Sequence, residues 1–513
     1  MNKKNSIESV RLNQRVYRKS GNDLTVIDGE YDYSANPDIH AMLNVYTGGS
    51  ADDRAHEISS VLESYQINHS SKGFDLPIVT IIHRDGYLAE TIDRLREEQI
   101  ESRKHLVVKK VLANTKDCAI NPLDIKIGFQ QPIPIERSYI KNFLLTLLTP
   151  AESENPYEGM DGFVDSLITK VFELTQCDKP VIPKMFDPNC NRELQRMAYC
   201  HISDEELETG ITFQTVANRL HIEGEISDSG SQMRELFWRS RDIAHTFSMP
   251  VLADLITTMD VAGFDDIYTN TVETGETMAQ YARRCISNAI RDFPCFANPT
   301  TFNIKSKRVV SIDLQDVYAG NDHRQNSLFL QAARMVAMSK VNYCYSNIML
   351  SGVNSIYDDY YIELARELEK YKKALVIEGV DYYKHDSRLL AMLDIDARER
   401  RRLGVNIIIS TDNLACYYDK TKTYTAVSDA NRVYIFSRLN ADNLAAFKDM
   451  FTGDDLVMSD MAGLGNLEFM SYSRVYRTPL IITRYHQNRL AGLHCYKSHK
   501  IKEHAEKKVH PHC

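Results

Sequence analysis

The chain has 513 residues, 43% of them apolar and 26% charged, and a formal net charge of −9. That length exceeds what one hydrophobic core usually spans, and the composition excludes disordered, collagenous and fibrous classes. The acidic balance provides no global basic field, so nucleic acid is not the expected partner, although a local basic groove is compatible with it.

The ten cysteines (118, 177, 190, 200, 285, 295, 344, 416, 495 and 513) include no C-x-x-C pair and no regular spacing. This argues against a zinc framework or a disulfide scaffold, and no metal site is expected. They read as reduced thiols of a cytoplasmic protein. Residues 1–20 lack the apolar centre of a signal peptide. The longest apolar run, 143–148, is far shorter than the roughly 20 residues that span a bilayer, so membrane association is expected to be peripheral.

Residues 1–37 are polar with short Val and Ile clusters, an edge strand or a flexible lead. From 38 to 150, strand-like and helix-like segments alternate: a strand over 41–46, a helix over 54–65 and an apolar strand over 76–82. A helix over 89–103, a strand over 106–112 and a helix over 136–148 follow. Such alternation indicates βαβ units and a parallel sheet. Between about 151 and 300 the period becomes 3.6, as in 162–175 and 213–220, which reads as an inserted all-helical lobe. Strand character returns at 308–314, 374–377 and 405–410, with helices near 325–341 and 360–371 separating the first two. Strands over 432–436 and 478–484 close a second sheet portion, 301–490, before a Lys/His-rich tail, 491–513.

Sheets of this kind bind ligands at the carboxyl ends of their strands, where a turn enters a helix whose first amides attract anions. The first such turn reads Thr47-Gly48-Gly49-Ser50-Ala51-Asp52-Asp53-Arg54-Ala55. Laid on the phosphate-binding pattern G-x-x-x-x-G-K-S/T, Gly48 takes the first glycine, but Asp53 replaces the second, Arg54 the lysine and Ala55 the hydroxyl residue that holds magnesium. Asp53 sets a negative charge beside an anion. Arg54 exchanges a compact ammonium for a planar fork, and Ala55 offers no oxygen. The second half of an ATPase site is an apolar strand ending in a carboxylate for the metal, followed by one that activates water. In Ala374-Leu375-Val376-Ile377-Glu378-Gly379, Glu378 takes the metal position and Gly379 stands where the base belongs. Either segment alone is matched as well by a plain turn or a strand-end glutamate.

Several ordered segments resemble the IcmB/DotO family of type IV secretion and conjugation motor ATPases. The most specific is Asn114-Thr115-Lys116-Asp117-Cys118-Ala119-Ile120-Asn121-Pro122-Leu123-Asp124, similar to that family's N-T-x-x-x-A-I-N-P-F-D, followed by Pro132-Ile133-Pro134-Ile135-Glu136. Residues 308–314 with Arg324 and Gln325, residues 396–402, and residues 405–412 continue it. The resemblance covers roughly 48–437 and begins at the candidate phosphate turn. It implies a RecA-like P-loop NTPase fold with a mainly parallel sheet and a helical insertion. It further implies docking at an inner-membrane type IV secretion complex as a homo- or hetero-oligomer, with ATP and magnesium as cofactors where the site is retained. The sequence departs from the pattern at Asp53, Arg54, Ala55, Glu378 and Gly379, at Thr411 where the family has Gln, and at His83 where its second strand ends in Asp.

The expected function is therefore a catalytically impaired, pseudo-ATPase subunit that binds an active motor homologue or the secretion complex. The competing reading is an active ATPase with a non-standard site, Arg54 on phosphate and Glu378 on magnesium, energising substrate or DNA transfer. A decaying gene remnant is disfavoured by the regular amphipathic patterning. Arg398, Arg400, Arg401 and Arg402 are either an inter-subunit contact or a solvated helix face. His504, His510, His512 and Cys513 lack a rigid setting for a metal. His83 is a strand-end histidine, and Trp238 is expected to anchor a helix of the lobe.

Overall fold

The computed structural model describes residues 14–20, 23–30, 43–71, 76–84, 86–97, 99–150, 155–178, 201–226, 231–320, 322–340, 352–379, 404–414, 432–436, 441–451, 468–473 and 479–484, with a few single positions between them. Strands β1 (Gln14–Ser20) and β2 (Asp23–Glu30) precede β3 (Leu43–Gly48), helix α1 (Ala51–Ser71), β4 (Ile78–His83), α2 (Ala89–Glu97) and β5 (Val107–Val111). A run of helices follows: α3 (Pro134–Leu148), α4 (Met160–Asp178), α5 (Asp204–Thr209), α6 (Phe213–Ile226), α7 (Ser231–Ser248), α8 (Leu252–Val261), α9 (Phe264–Ile267) and α10 (Met278–Asp292). The chain then returns through β6 (Val309–Asp313), α11 (His323–Ser339), α12 (Asp358–Glu369), β7 (Lys373–Glu378), β8 (Val405–Thr411), β9 (Arg432–Phe436), α13 (Ala441–Phe451), β10 (Glu468–Ser473) and β11 (Pro479–Arg484).

All the strands join one sheet in the order β2-β1-β11-β10-β9-β3-β8-β7-β4-β6-β5. From β9 to β5 every neighbouring pair is parallel, and from β9 outward to β2 every pair is antiparallel. Strands β3, β4, β7 and β8 are buried along their whole length, which explains why they read as continuous apolar runs rather than as alternation. Their side chains still alternate between two cores. Tyr46, Val79, Ile81, Val376 and Ile408 pack against Ala55, Ile58 and Leu62 of α1 and Ile92 of α2. Leu43, Val45, Ile82, Ile312, Leu375, Ile377, Ile407 and Ile409 join the larger core that includes α3, α11 and the helical lobe.

The lobe lies between β5 and β6 and is fixed at its base by the segment 114–124. Ile120 N–H donates to Cys295 O at 2.8 Å, and Thr301 and Phe302 N–H donate to Ala119 O at 3.0 and 2.9 Å. Asn121 donates its side-chain amide to Pro250 O (2.8 Å) and to Asp124 Oδ1 (3.0 Å). The stretch where the chain leaves the sheet is thereby laced to the stretch where it returns. Deeper in, the fully buried Arg334 guanidinium pairs with buried Asp396, lies 4.1 Å from the Tyr139 ring centroid, and shares Asp396 with the Tyr139 hydroxyl (3.1 Å).

Two expectations shift. The helix expected over 89–103 ends at Glu97 and gives way to a 3₁₀ turn, Glu101–Leu106. Thr91, Ile92 and Leu95 are its buried residues, and the next apolar residue, Ile100, is 64% exposed, so no continuing apolar face extends the helix. Residues 14–20 and 23–30 form a hairpin that joins the sheet through β11, the edge-strand option for this segment.

Candidate functional site at the carboxyl ends of the parallel strands

Strand β3 ends in two glycines with left-handed backbone, φ 74° at Gly48 and 61° at Gly49. A Cβ at Gly48 would stand 2.3 Å from Phe436 O, and one at Gly49 would stand 2.7 Å from Phe436 Cβ. The glycines are therefore needed to pass the end of β9. Helix α1 starts at Ala51, so Gly49 and Ser50 alone separate strand from helix. A P-loop instead places four residues between its glycines and wraps them around the phosphates.

The first turn of α1 satisfies two of its own amide donors, those of Ser50 and Asp53. Ser50 Oγ accepts the Asp53 N–H (3.2 Å), and Asp53 Oδ2 accepts both the Ser50 N–H (3.1 Å) and the Ser50 hydroxyl (2.6 Å). This is a capping box, with a carboxylate seated where an anion would approach. One residue on, the Arg54 side chain is 3% exposed and turns back across the strand ends. Nη1 donates to Gly48 O (2.7 Å) and Gly49 O (3.4 Å), Nε donates to Ser410 Oγ (3.0 Å), and Nη2 pairs with Asp412 Oδ1. Ala55 is buried in the α1 core and offers no oxygen.

Glu378 and Ser410 are register partners at the ends of β7 and β8, and strand alternation puts both on the α1 face beside Arg54. Glu378 is 4% exposed. Gly379, with φ 73°, turns the chain away while its N–H donates to Ser410 O at 3.1 Å. His83 ends β4 on the same face, buried, with Nε2 2.5 Å from Ser311 Oγ. Thr411 is buried on the opposite face, where its hydroxyl accepts the Asn413 N–H (3.2 Å). Asp412 is largely exposed, and its carbonyl is held by Asn443 Nδ2 at 2.9 Å.

The turn thus brings Gly48, Gly49, Asp53 and Arg54 together with Ser410 and Asp412, and places Glu378 beside them. Thr411 faces away. These residues do not fit a Walker-type cradle for magnesium ATP: the Ser50 and Asp53 amides are capped, the arginine fork is engaged by the turn's own carbonyls, and no hydroxyl stands at position 55. The capping box was readable as Ser50-x-x-Asp53 in the sequence; the partnership of Arg54 with Asp412, 358 residues on, was not. Arg398, Arg400, Arg401, Arg402, His504, His510, His512 and Cys513 lie outside the described residues. Among the described residues no group of three His, Cys, Asp or Glu could hold a metal, and no helix is long and apolar enough to cross a membrane.

In the lobe, Trp238 stands edge-on to Tyr360 (5.8 Å between ring centroids) against Gly224. The buried Arg241 guanidinium lies 4.6 Å from the Tyr360 ring and 3.1 Å from His221 Nδ1. Burial, reinforced by the Arg241 charge, pushes His221 down to about 4, so it is neutral at physiological pH. This cluster ties α6 and α7 to α12.

No protein-family model matches the sequence, and no curated protein matches it significantly. Among solved structures, VirB4 of Thermoanaerobacter pseudethanolicus superposes with a TM-score of 0.51 at 10% sequence identity, over 93% of this chain and 97% of that one. The chain has the VirB4 fold. That is a mixed α/β P-loop NTPase architecture, and at this identity the likeness concerns the fold. The genome packaging NTPase B204 from Sulfolobus turreted icosahedral virus 2 in complex with ATP-gammaS matches more partially, with a TM-score of 0.22 and 15% identity over 35% of this chain and 69% of that one. In the VirB4 fold of this chain, the turn after β3 carries the Arg54 side chain bonded to Gly48 O, Gly49 O and Ser410 Oγ.

Proposed function

We propose that the chain is a type IV secretion motor-like subunit whose nucleotide site is closed and which works by binding, to an active motor homologue or to an inner-membrane secretion complex. The observation that carries this reading is Arg54. Its guanidinium is engaged by Gly48 O, Gly49 O, Ser410 Oγ and Asp412, so the cation that would meet a phosphate is committed to the protein itself. The capping of Ser50 by Asp53 and the absence of a carboxylate at Gly379 support the same reading, because phosphate binding and water activation both lack their groups. The chain then contributes shape: a motor-like sheet and lobe that pair with an active neighbour.

A second reading rests on Glu378, a buried carboxylate at the end of β7 where a P-loop enzyme holds its metal. It makes the chain an ATPase in which Arg54 releases Gly48 O and Asp412 to grip phosphate. Thermal unfolding with millimolar ATP and magnesium separates the two, since a ligand bound to the native state raises Tm. The closed-site reading expects no shift and no phosphate release. A saturable shift that disappears in Glu378→Ala, with magnesium-dependent hydrolysis, replaces it with the second.

A further inference from the structure

The edge of the sheet farthest from β2 carries a group of cations, three of which have no ion-pair partner among the described residues. Strand β5 has β6 on one side and no described strand on the other. Its position, five strand spacings from β3, is about 24 Å from the candidate nucleotide turn at about 4.8 Å per strand. Alternation divides its two lysines. Lys109 points to the α2 side and pairs with Asp93. Lys110 points to the lobe side, 6.0 Å from the buried Phe302 ring.

On that side the tight turn 303–307 is closed by Lys307 N–H to Ile304 O (3.0 Å), and Arg308 N–H to Leu106 O (2.9 Å) sets Lys307 beside the start of β5, where it feels the charges of Lys110 and of Arg239 on α7. Thr301 at the start of the turn donates to Asp117 O (2.9 Å), which sets exposed Lys116 along the same rim. The described ion pairs leave Lys110, Lys116 and Lys307 without an acid; Arg239 pairs with Glu235, and exposed Lys305 contributes its charge to the half-buried carboxylates Asp124 and Glu136. Burial, and secondarily the neighbouring Lys110 and Arg239 charges, holds the Lys307 ammonium below its usual range. In a chain of net charge −9 this is a local reversal of sign.

We propose that the rim formed by Lys110, Lys116, Lys307 and Arg239 beside the free edge of β5 is a docking site for an extended acidic segment of a partner protein. The charge complementarity defines the partner. Val107 N–H donates to Lys104 O and Val111 O accepts from Cys118 Sγ (3.4 Å), so Lys109 at the middle of the edge supplies the main-chain pairing for an extended strand, with Val111, 51% exposed, offering an apolar contact at the end of β5. An acidic peptide is favoured over nucleic acid because the aromatic ring of the rim, Phe302, is buried beneath Lys110 and presents no face for base stacking, whereas the edge of β5 suits a peptide backbone. Lysines on an edge strand also discourage self-pairing, and an acidic partner strand is the one they admit.

The test uses the full chain and fluorescence anisotropy with three probes: a labelled ten-residue Glu-rich peptide, a labelled single-stranded oligonucleotide and inorganic phosphate as competitor. The expected result is saturable peptide binding at low salt. The double substitution Lys110→Glu with Lys307→Glu is expected to weaken it about 10-fold or more, while Lys307→Arg retains it and all variants keep the parent Tm. Peptide binding that is absent, or that is unchanged in the double variant, overturns the proposal. So does tighter binding of the oligonucleotide than of the peptide at equal charge, or displacement of the peptide by millimolar phosphate in buffer of matched ionic strength.

Discussion

Replacing Arg54 by alanine discriminates between an arginine that holds the fold and one that waits for phosphate. In the structure the side chain is 3% exposed, and its removal strips Gly48 O and Ser410 Oγ of buried donors at 2.7 and 3.0 Å. Each orphaned acceptor costs about 1–3 kcal/mol. The pair with Asp412 adds little, at most about 1 kcal/mol, because that carboxylate is 61% exposed and screened by water. The sum is about 4 kcal/mol, which at about 2 °C per kcal/mol for a large chain lowers Tm by about 8 °C. Differential scanning fluorimetry with and without 5 mM ATP and magnesium, at about millimolar ligand excess, measures both quantities at once. The expected outcome is a large intrinsic loss and no ligand response in either protein. An Arg54→Ala protein as stable as its parent, from which an ATP-dependent shift has been lost, would falsify the closed-site argument, because the guanidinium would then have been free for phosphate.

Three other expectations follow from the same structure. Gly48→Ala forces a Cβ to 2.3 Å from Phe436 O at φ 74° and is expected to cost about 3 kcal/mol, read by urea unfolding; a neutral effect would mean that β9 does not pass that close. Asp124, raised to about 6 chiefly by burial, favours the protonated carboxyl in the folded state, so the stability it contributes is full below about pH 4 and lost as pH rises through 6. The unfolding free-energy difference between Asp124→Asn and the parent, read by urea unfolding, should therefore grow in favour of the variant from pH 4 to 6.5, by at most about 3 kcal/mol, and then level off; a difference independent of pH refutes the assignment. Lys340 is buried with Arg308 O at 3.4 Å, and burial lowers it to about 7, so the fold prefers the neutral amine and loses stability as pH falls from 10.5 toward 7. Lys340→Met should stabilise the chain below pH 7 by up to about 4 kcal/mol and progressively less above it; no gain at pH 6 would mean that the ammonium reaches water.

Much of the sheet was legible because its central strands are long apolar runs bounded by turn residues, as in 76–82, 374–377 and 405–410, and because the lobe helices keep a 3.6 period. The strand order was not, since nothing local in β3 states that it pairs with β8 on one side and β9 on the other. Helix α13 and strand β10 escaped notice for a different reason. Phe469, Met470, Ser471 and Tyr472 are buried consecutively, so no alternation marks β10, and α13 follows β9 after a short connection with no proline or glycine at its start. At the candidate site, the substitutions at Asp53, Arg54 and Ala55 were visible as departures from a pattern. Their physical result required the fold: Asp53 as a helix cap and Arg54 as a clasp across two strands depend on Ser410 and Asp412, which lie far away in sequence.

The lacing of segment 114–124 to residues 295–302 has a consequence for modularity. Ala119 O receives the N–H of Thr301 and Phe302, so the 181 residues between Ala119 and Thr301 begin and end at one point on the rim of the sheet. A segment whose two ends meet can vary in length at positions far from that junction without altering the spacing of β5 and β6. Helix α3 at its start packs into the sheet core, so such variation belongs to the outer helices, and the sequence most recognisable along the chain is the socket that holds them.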